Sequence, residues 1–217
     1  MADPKQQKPE TQLYLIAPGI SDVGTFAGPL EEVLAAGKVS CLLLDLISTD
    51  DHAAKKAVKE IVRVTQAHDT ALLLAGWSSI AARAGADGVH VAGGRKAVDE
   101  ALLSFKPEHI VGVGAIRSRH DAMSLAETGV DYVMFGEPSR DGRPPPLDSV
   151  VERTDWWAEL FEIPCVAYAP DLGSVPLLAD AGADFVALGS AVWRHDKGPA
   201  EAVSLASRLL GQRGLRP

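Results

Sequence analysis

The sequence predicts an α/β fold, a single (β/α)8 barrel of the TIM class, and three observations carry that expectation. The first is a phrase that occurs three times: Gly85-Ala86-Asp87-Gly88-Val89-His90-Val91, Gly129-Val130-Asp131-Tyr132-Val133-Met134-Phe135-Gly136 and Gly182-Ala183-Asp184-Phe185-Val186-Ala187-Leu188-Gly189. Each copy follows an alanine-rich helical stretch, turns through Gly-x-Asp and runs straight into an apolar strand, which makes one αβ unit. The second is the regular alternation of eight strand-like and eight helix-like segments, which favours closure over a doubly wound open sheet. The third is length. A chain of 217 residues fits one domain of the barrel class, which commonly starts at about 200 residues. In such barrels chemistry sits at the carboxyl ends of the strands, so the loops that follow them hold the functional question.

The elements follow from local signals. Strands are expected at Leu13–Ala17, Ser40–Leu46, Ala71–Ala75, Val89–Ala92, Ile110–Gly114, Tyr132–Phe135, Cys165–Ala169 and Phe185–Leu188. The second is almost continuously apolar, as suits a strand buried on both faces. Helices are expected near Pro29–Ala36, from a cap at Asp50 or Asp51 to Ala67, over Ser79–Ala84, and over Ala97–Phe105, stopped by Pro107. Further helices are expected at Asp121–Glu127, ended by Gly129, then near Asp148–Phe161, Val175–Asp180 and Ala200–Leu210.

Composition narrows the class of function. Net charge is −8, which disfavours nonspecific binding to nucleic acid or to an anionic membrane while allowing a local basic pocket. No apolar run approaches the roughly 18 residues that a membrane-spanning helix needs. Met1 to Glu10 is polar and lacks the apolar core of a secretory signal. It reads as a disordered leader of residues 1–10, before a barrel domain of residues 11–217. Cys41 and Cys165 both fall inside apolar strand patterns and read as buried thiols, in keeping with a reducing cytoplasm. His52, His68, His109, His120 and His195 show no metal-ligand spacing, so no zinc site is expected.

The frame resembles the thiamine-phosphate synthase family, including its thiazole tautomerase relatives, over roughly residues 11 to 210. The resemblance rests on Leu13-Tyr14-Leu15-Ile16, Ala86-Asp87-Gly88-Val89-His90, Ile110-Val111-Gly112-Val113, Val130-Asp131-Tyr132-Val133, Ile163-Pro164 with Val166-Ala167, and Gly182-Ala183-Asp184. It implies an enzyme of thiamine biosynthesis, a transferase that joins a pyrimidine pyrophosphate to a thiazole phosphate with magnesium on the pyrophosphate. The loops depart from that pattern. Where the family has Gln-Leu-Arg and a Lys at the end of strand two, this chain has Leu42-Leu43-Leu44-Asp45. Asn-Asp-Arg after strand three becomes Ala75-Gly76-Trp77, and Gly-Gln-x-Asp after strand four becomes Ala92-Gly93-Gly94-Arg95. The two aspartates that hold magnesium in the family thus correspond to Gly76 and Arg95. Glycine offers the ion no oxygen and arginine repels it. Strand five's Ser is Gly114, and Gly-Gly after strand seven is Ala169-Pro170, whose proline lacks an N–H for a phosphate.

Several residues carry two readings. Arg95 could replace the metal's charge and grip a phosphate bidentately, or stand solvated at a helix start. Arg140 and Arg143 lie in the loop after strand six, where the family has a lid, and could close over an anion. The triple proline 144–146 instead favours a stiff, extended segment. Gly189 and Ser190 could form the phosphate cup that barrels build after strands seven and eight, or serve close packing. Glu137 stands where the tautomerase relatives place an acid/base histidine nearby, so it reads as a proton-transfer carboxylate or as a surface loop residue. Asp45 carries the same two readings, with a salt bridge to Arg95 as the structural one. His90 reads as a satisfied core histidine. Trp77 either stacks on an aromatic ligand or plugs the emptied pocket. The expectation is a family-like barrel that acts on or binds a phosphorylated heterocycle with the magnesium-pyrophosphate site lost and no cofactor. The alternative is a catalytically silent barrel that binds a phosphate ester or a protein. The partner is a small phosphorylated molecule, with no nucleic acid or membrane and with homo-oligomerisation left open.

Overall fold

The computed structural model describes residues 10–20, 22–47, 50–76, 81, 83–139 and 141–211. Eight strands form one closed parallel barrel in chain order: β1 Gln12–Ile16, β2 Cys41–Leu44, β3 Ala71–Ala75, β4 Gly88–Ala92, β5 Ile110–Gly114, β6 Tyr132–Phe135, β7 Cys165–Ala169 and β8 Phe185–Leu188. β8 returns to β1 with Val186 opposite Leu13. The expected (β/α)8 barrel is therefore the observed architecture. No described helix is long and apolar enough to cross a membrane.

Alternation with period two sorts the strand residues into two cores. Leu13, Leu42, Leu44, Leu72, Leu74, Val111, Val113, Val133, Phe135, Val186 and Leu188 pack outward against the helices. Tyr14, Cys41, Leu43, Leu73, Tyr132, Met134, Val166, Tyr168 and Ala187 fill the barrel interior. On β5 the residues between the outward-packing Val111 and Val113 and after them are glycines, Gly112 and Gly114. A Cβ on Gly112 would fall 1.9 Å from the Tyr132 ring, and one on Gly114 would fall 1.8 Å from the Glu137 carboxylate. Neighbouring side chains occupy the space that β5 leaves.

The repeated Gly-x-Asp phrase has one structural job. Gly85, Gly129 and Gly182 take φ of +88°, +93° and +88°, the left-handed region that glycine enters without a Cβ clash. Two residues on, each aspartate accepts a backbone N–H from the neighbouring strand: Asp87 from Leu72 at 2.7 Å, Asp131 from Val111 at 2.7 Å and Asp184 from Cys165 at 2.8 Å. These carboxylates tie αβ units together at the amino ends of the strands, away from the mouth where chemistry belongs.

Some element ends differ from expectation. β2 stops at Leu44, because the chain bends so that Leu46 makes only an isolated bridge to Ile20. The helix after β4 begins at Arg95, with Gly94 at its cap, two residues earlier than the apolar pattern suggests. The helix after β5 begins at Arg119, because Ser118 and Asp121 form a capping box. Asp50 caps the helix Asp51–Ala67 by accepting from His52 and Ala53 N–H. The last helix spans Pro199–Gly211. Of the short helix expected over Ser79–Ala84, Ala81, Arg83 and Ala84 are helical and the rest lies outside the described residues.

Candidate functional site

At the carboxyl ends of β4, β5 and β6 the barrel opens into a cavity of about 1180 Å³. Its walls include Arg95 after β4, Arg117 after β5, Glu137 and Arg143 after β6, and Arg153 from the helix Leu147–Leu160. In a chain of net charge −8, four arginines meet at this opening, beside the carboxylates of Asp121, Glu137 and Asp141.

Glu137 is the best-determined group of this cavity. Its side chain is 17% exposed, half-buried at the cavity wall in the loop after β6. His90 Nε2 lies 3.0 Å from Oε1, and the Ala115 N–H donates to Oε2. Ala115 holds φ at +55°, a left-handed conformation that costs a non-glycine residue roughly 1–2 kcal/mol. That backbone aims its N–H at the carboxylate. Gly114 leaves the room: a Cβ there would also lie 2.5 Å from His90 Nε2. Burial pushes the Glu137 carboxyl up, but the hydrogen bonds from His90 and from the Ala115 N–H outweigh it and hold the group below its usual value.

His90 is buried within β4, as expected of a core histidine, and it is satisfied on both nitrogens. Nδ1 lies 2.8 Å from the Tyr132 hydroxyl, which lies 3.0 Å from the Tyr14 hydroxyl. The imidazole also stacks on the Tyr132 ring at 5.7 Å between centroids. Burial pushes both phenols well above their usual value, so they stay protonated at neutral pH. A polar chain thus runs from the middle of the barrel to the cavity wall.

The remaining candidates distribute as follows. Arg95 Nε donates to Asp99 at 2.9 and 3.2 Å, so the suggested partner Asp45 is replaced by the residue one helical turn on. The pair is exposed, and the other guanidinium nitrogens of Arg95 have no partner among the described residues. Arg143 is exposed, with a 3.6 Å contact to Asp141. Gly189 and Ser190 stand at the end of β8, Gly189 buried beside Tyr168 and Ser190 exposed, and neither lines the cavity of Arg95 and Glu137. In the loop after β7, the Ser174 N–H is taken by Asp171 at 2.9 Å. Trp77 and Arg140 lie outside the described residues. Cys41 and Cys165 are buried and free of disulfides.

Sequence reasoning missed three participants: Tyr14, Tyr132 and Arg117. The signal for the tyrosines was the Gly112-Val113-Gly114 pattern, because a strand bare at two successive inward positions requires its neighbours to fill the barrel. Arg117 had the simpler signal of a cation just past the end of β5.

Comparison with known proteins agrees with the frame. The family model described as Thiamine monophosphate synthase matches residues 13–192. A thiamine-phosphate synthase of Rhodospirillum centenum is 40% identical over 203 residues, covering 93% of this chain and 98% of the relative. One of Hyphomonas neptunium is 36% identical over 219 residues, covering 96% and 98%. Among solved structures, a thiamine phosphate pyrophosphorylase of Pyrococcus furiosus superposes with a TM-score of 0.77 at 19% identity, covering 93% of this chain and 96% of that one. At that identity the structural likeness speaks for the fold.

Proposed function

Because the chain belongs to the thiamine-phosphate synthase family, we propose that it binds a phosphorylated heterocycle of the thiamine type at the β4–β6 cavity, with arginine supplying the positive charge that magnesium supplies in the family. The carrying observation is Arg95. It stands where the resemblance places a magnesium aspartate, and it opens onto the same cavity as Arg117, Arg143 and Glu137. The ring would occupy the cavity and the phosphate would meet the guanidinium groups, whose planar N–H pairs match a phosphate's oxygens. Gly189 and Ser190 form a second donor site at the end of β8 in this reading, separate from the arginine wall.

The residues present do not suit the family's metal. Gly76 has no side-chain oxygen, and Arg95 is a cation already held by Asp99. Magnesium needs hard oxygen ligands, usually one or two carboxylates beside the phosphate and water.

The test is calorimetric titration of the protein with thiazole phosphate and with thiamine phosphate, each with magnesium and with chelator. Binding that is equal in the two conditions is expected. Binding that vanishes with chelator contradicts the reading. Absence of binding to either compound favours the silent barrel.

A further inference from the structure

We propose that Glu137 is the proton acceptor of the cavity, and that His90, backed by Tyr132 and Tyr14, positions its carboxylate by donating Nε2–H to it. The directions of the hydrogen bonds carry the argument. A carboxylate only accepts, so at 3.0 Å from Oε1 the His90 Nε2 must carry the proton. In a neutral imidazole Nδ1 is then an acceptor, so at 2.8 Å the Tyr132 hydroxyl must donate to it. Tyr132 has spent its one proton, so at 3.0 Å the Tyr14 hydroxyl donates to Tyr132. Every donor in the chain points toward the cavity, and one imidazole tautomer is selected.

Burial makes the selection strict. Tyr14 is 1% exposed and His90 2%, so a reversed link would orphan a buried polar group. The backbone is shaped for the same end. Gly112 admits the Tyr132 ring, Gly114 admits the carboxylate, and the left-handed Ala115 supplies the second donor. Each Glu137 oxygen therefore has one donor from the barrel side and keeps further lone pairs for the cavity that Glu137 lines.

The chemistry follows directly. A ring N–H or an acidic C–H of a bound heterocycle transfers its proton to Glu137, whose carboxylate becomes the carboxylic acid, and the bonding electron pair stays on the ring. The same proton returns to another ring atom or to water, so nothing is oxidised or reduced. His90 already carries its Nε2 proton and takes no part in the transfer, which makes it a positioning residue. That the ligand is a heterocycle rests on the reading above; the positioning of Glu137 does not.

The test is 15N NMR of His90 in the ligand-free, full-length protein at neutral pH, which separates this inference from any failure of the ligand assignment. The expected result is a neutral imidazole with Nε2 protonated and Nδ1 bare, favoured at least about tenfold, the fold-change of one charge-assisted hydrogen bond. Glu137→Gln should abolish that preference, because an amide can donate as well as accept. Tyr132→Phe should keep Nε2 protonated but shift the Nδ1 signal toward that of a free, unbonded nitrogen. A packing role alone would leave these signals unmoved, and thermal unfolding confirms that each variant folds. An Nδ1-protonated tautomer, or an imidazolium, in the parent protein overturns the proposal. So does a Glu137→Gln variant with the parent's tautomer ratio.

Discussion

Adding one methyl group at Gly114 should uncouple Glu137 from His90, and the cost can be worked from the contacts. The Cβ of Gly114→Ala would lie 1.8 Å from Glu137 Oε2 and 2.5 Å from both Glu137 Cδ and His90 Nε2. Glu137 can swing into the open cavity, which relieves its own clash, but the buried His90 ring at 2.5 Å must shift as well. What remains is the loss of the hydrogen bonds to a charged group and a His90 N–H left buried without an acceptor, together about 2–3 kcal/mol. For a domain of this size each kcal/mol lowers Tm by about 2–4 °C, so a fall of about 4–12 °C is expected. Gly112→Ala offers the contrast, because its Cβ would meet the rigid Tyr132 ring at 1.9 Å. Ring and barrel must both shift there, and a larger loss of about 3–5 kcal/mol is expected. Gly28→Ala is the control: no atom lies within 4 Å of its added Cβ and the residue is helical, so a gain of about 0.5–1 kcal/mol is expected. Calorimetric unfolding of the three variants decides. If Gly114→Ala is as stable as the parent, the carboxylate is not seated where this reasoning places it.

Further expectations follow from the same site. Glu137 has a folded-state pKa below its unfolded value, so its stabilising contribution is complete above the ordinary glutamate value of about 4.3 and fades as pH falls through the folded value. The stability of Glu137→Gln should therefore fall less steeply than the parent's below about pH 4.3, and parallel acid limbs would contradict this. Ala115→Gly relieves a left-handed alanine, so stability should be unchanged or rise by up to about 1 kcal/mol, measured by denaturant unfolding. With both family substrates and magnesium, thiamine phosphate should not appear above background. A turnover of about 1 per second or more, ordinary for enzymes, would restore the family's metal chemistry to this chain.

The barrel was legible because its signals are local and repeated. Gly-x-Asp before an apolar strand marks an αβ unit, and the structure explains the pattern: the glycine turns left-handed and the aspartate caps a neighbouring strand. The site was legible only in part. Arg95, Glu137 and Arg143 share a cavity because each follows a strand end, which sequence position reveals. The salt partner of Arg95 is Asp99, an i,i+4 choice made by the helix that begins at Arg95 itself and so hidden by the later helix start. The polar chain was illegible for a different reason. Tyr14, His90 and Tyr132 are far apart in sequence, and only barrel closure brings them together. A histidine in an apolar strand reads as core, and it is core. Its second role depends on Gly114 leaving space for a carboxylate from the next strand's loop.

The central claim is that arginine stands in for metal charge at this mouth, and Arg95→Ala tests it most directly. Calorimetric titration with thiazole phosphate, with magnesium and with chelator, should give the same affinity for the parent in both conditions. Loss of one charge-assisted contact is worth about 1.5–3 kcal/mol, so Arg95→Ala should bind roughly tenfold to a hundredfold more weakly in both. Arg143→Ala, at an exposed residue beside the prolines 144–146, should lose less. An Arg95→Ala variant that binds as tightly as the parent, or a parent whose binding disappears with chelator, would contradict the account.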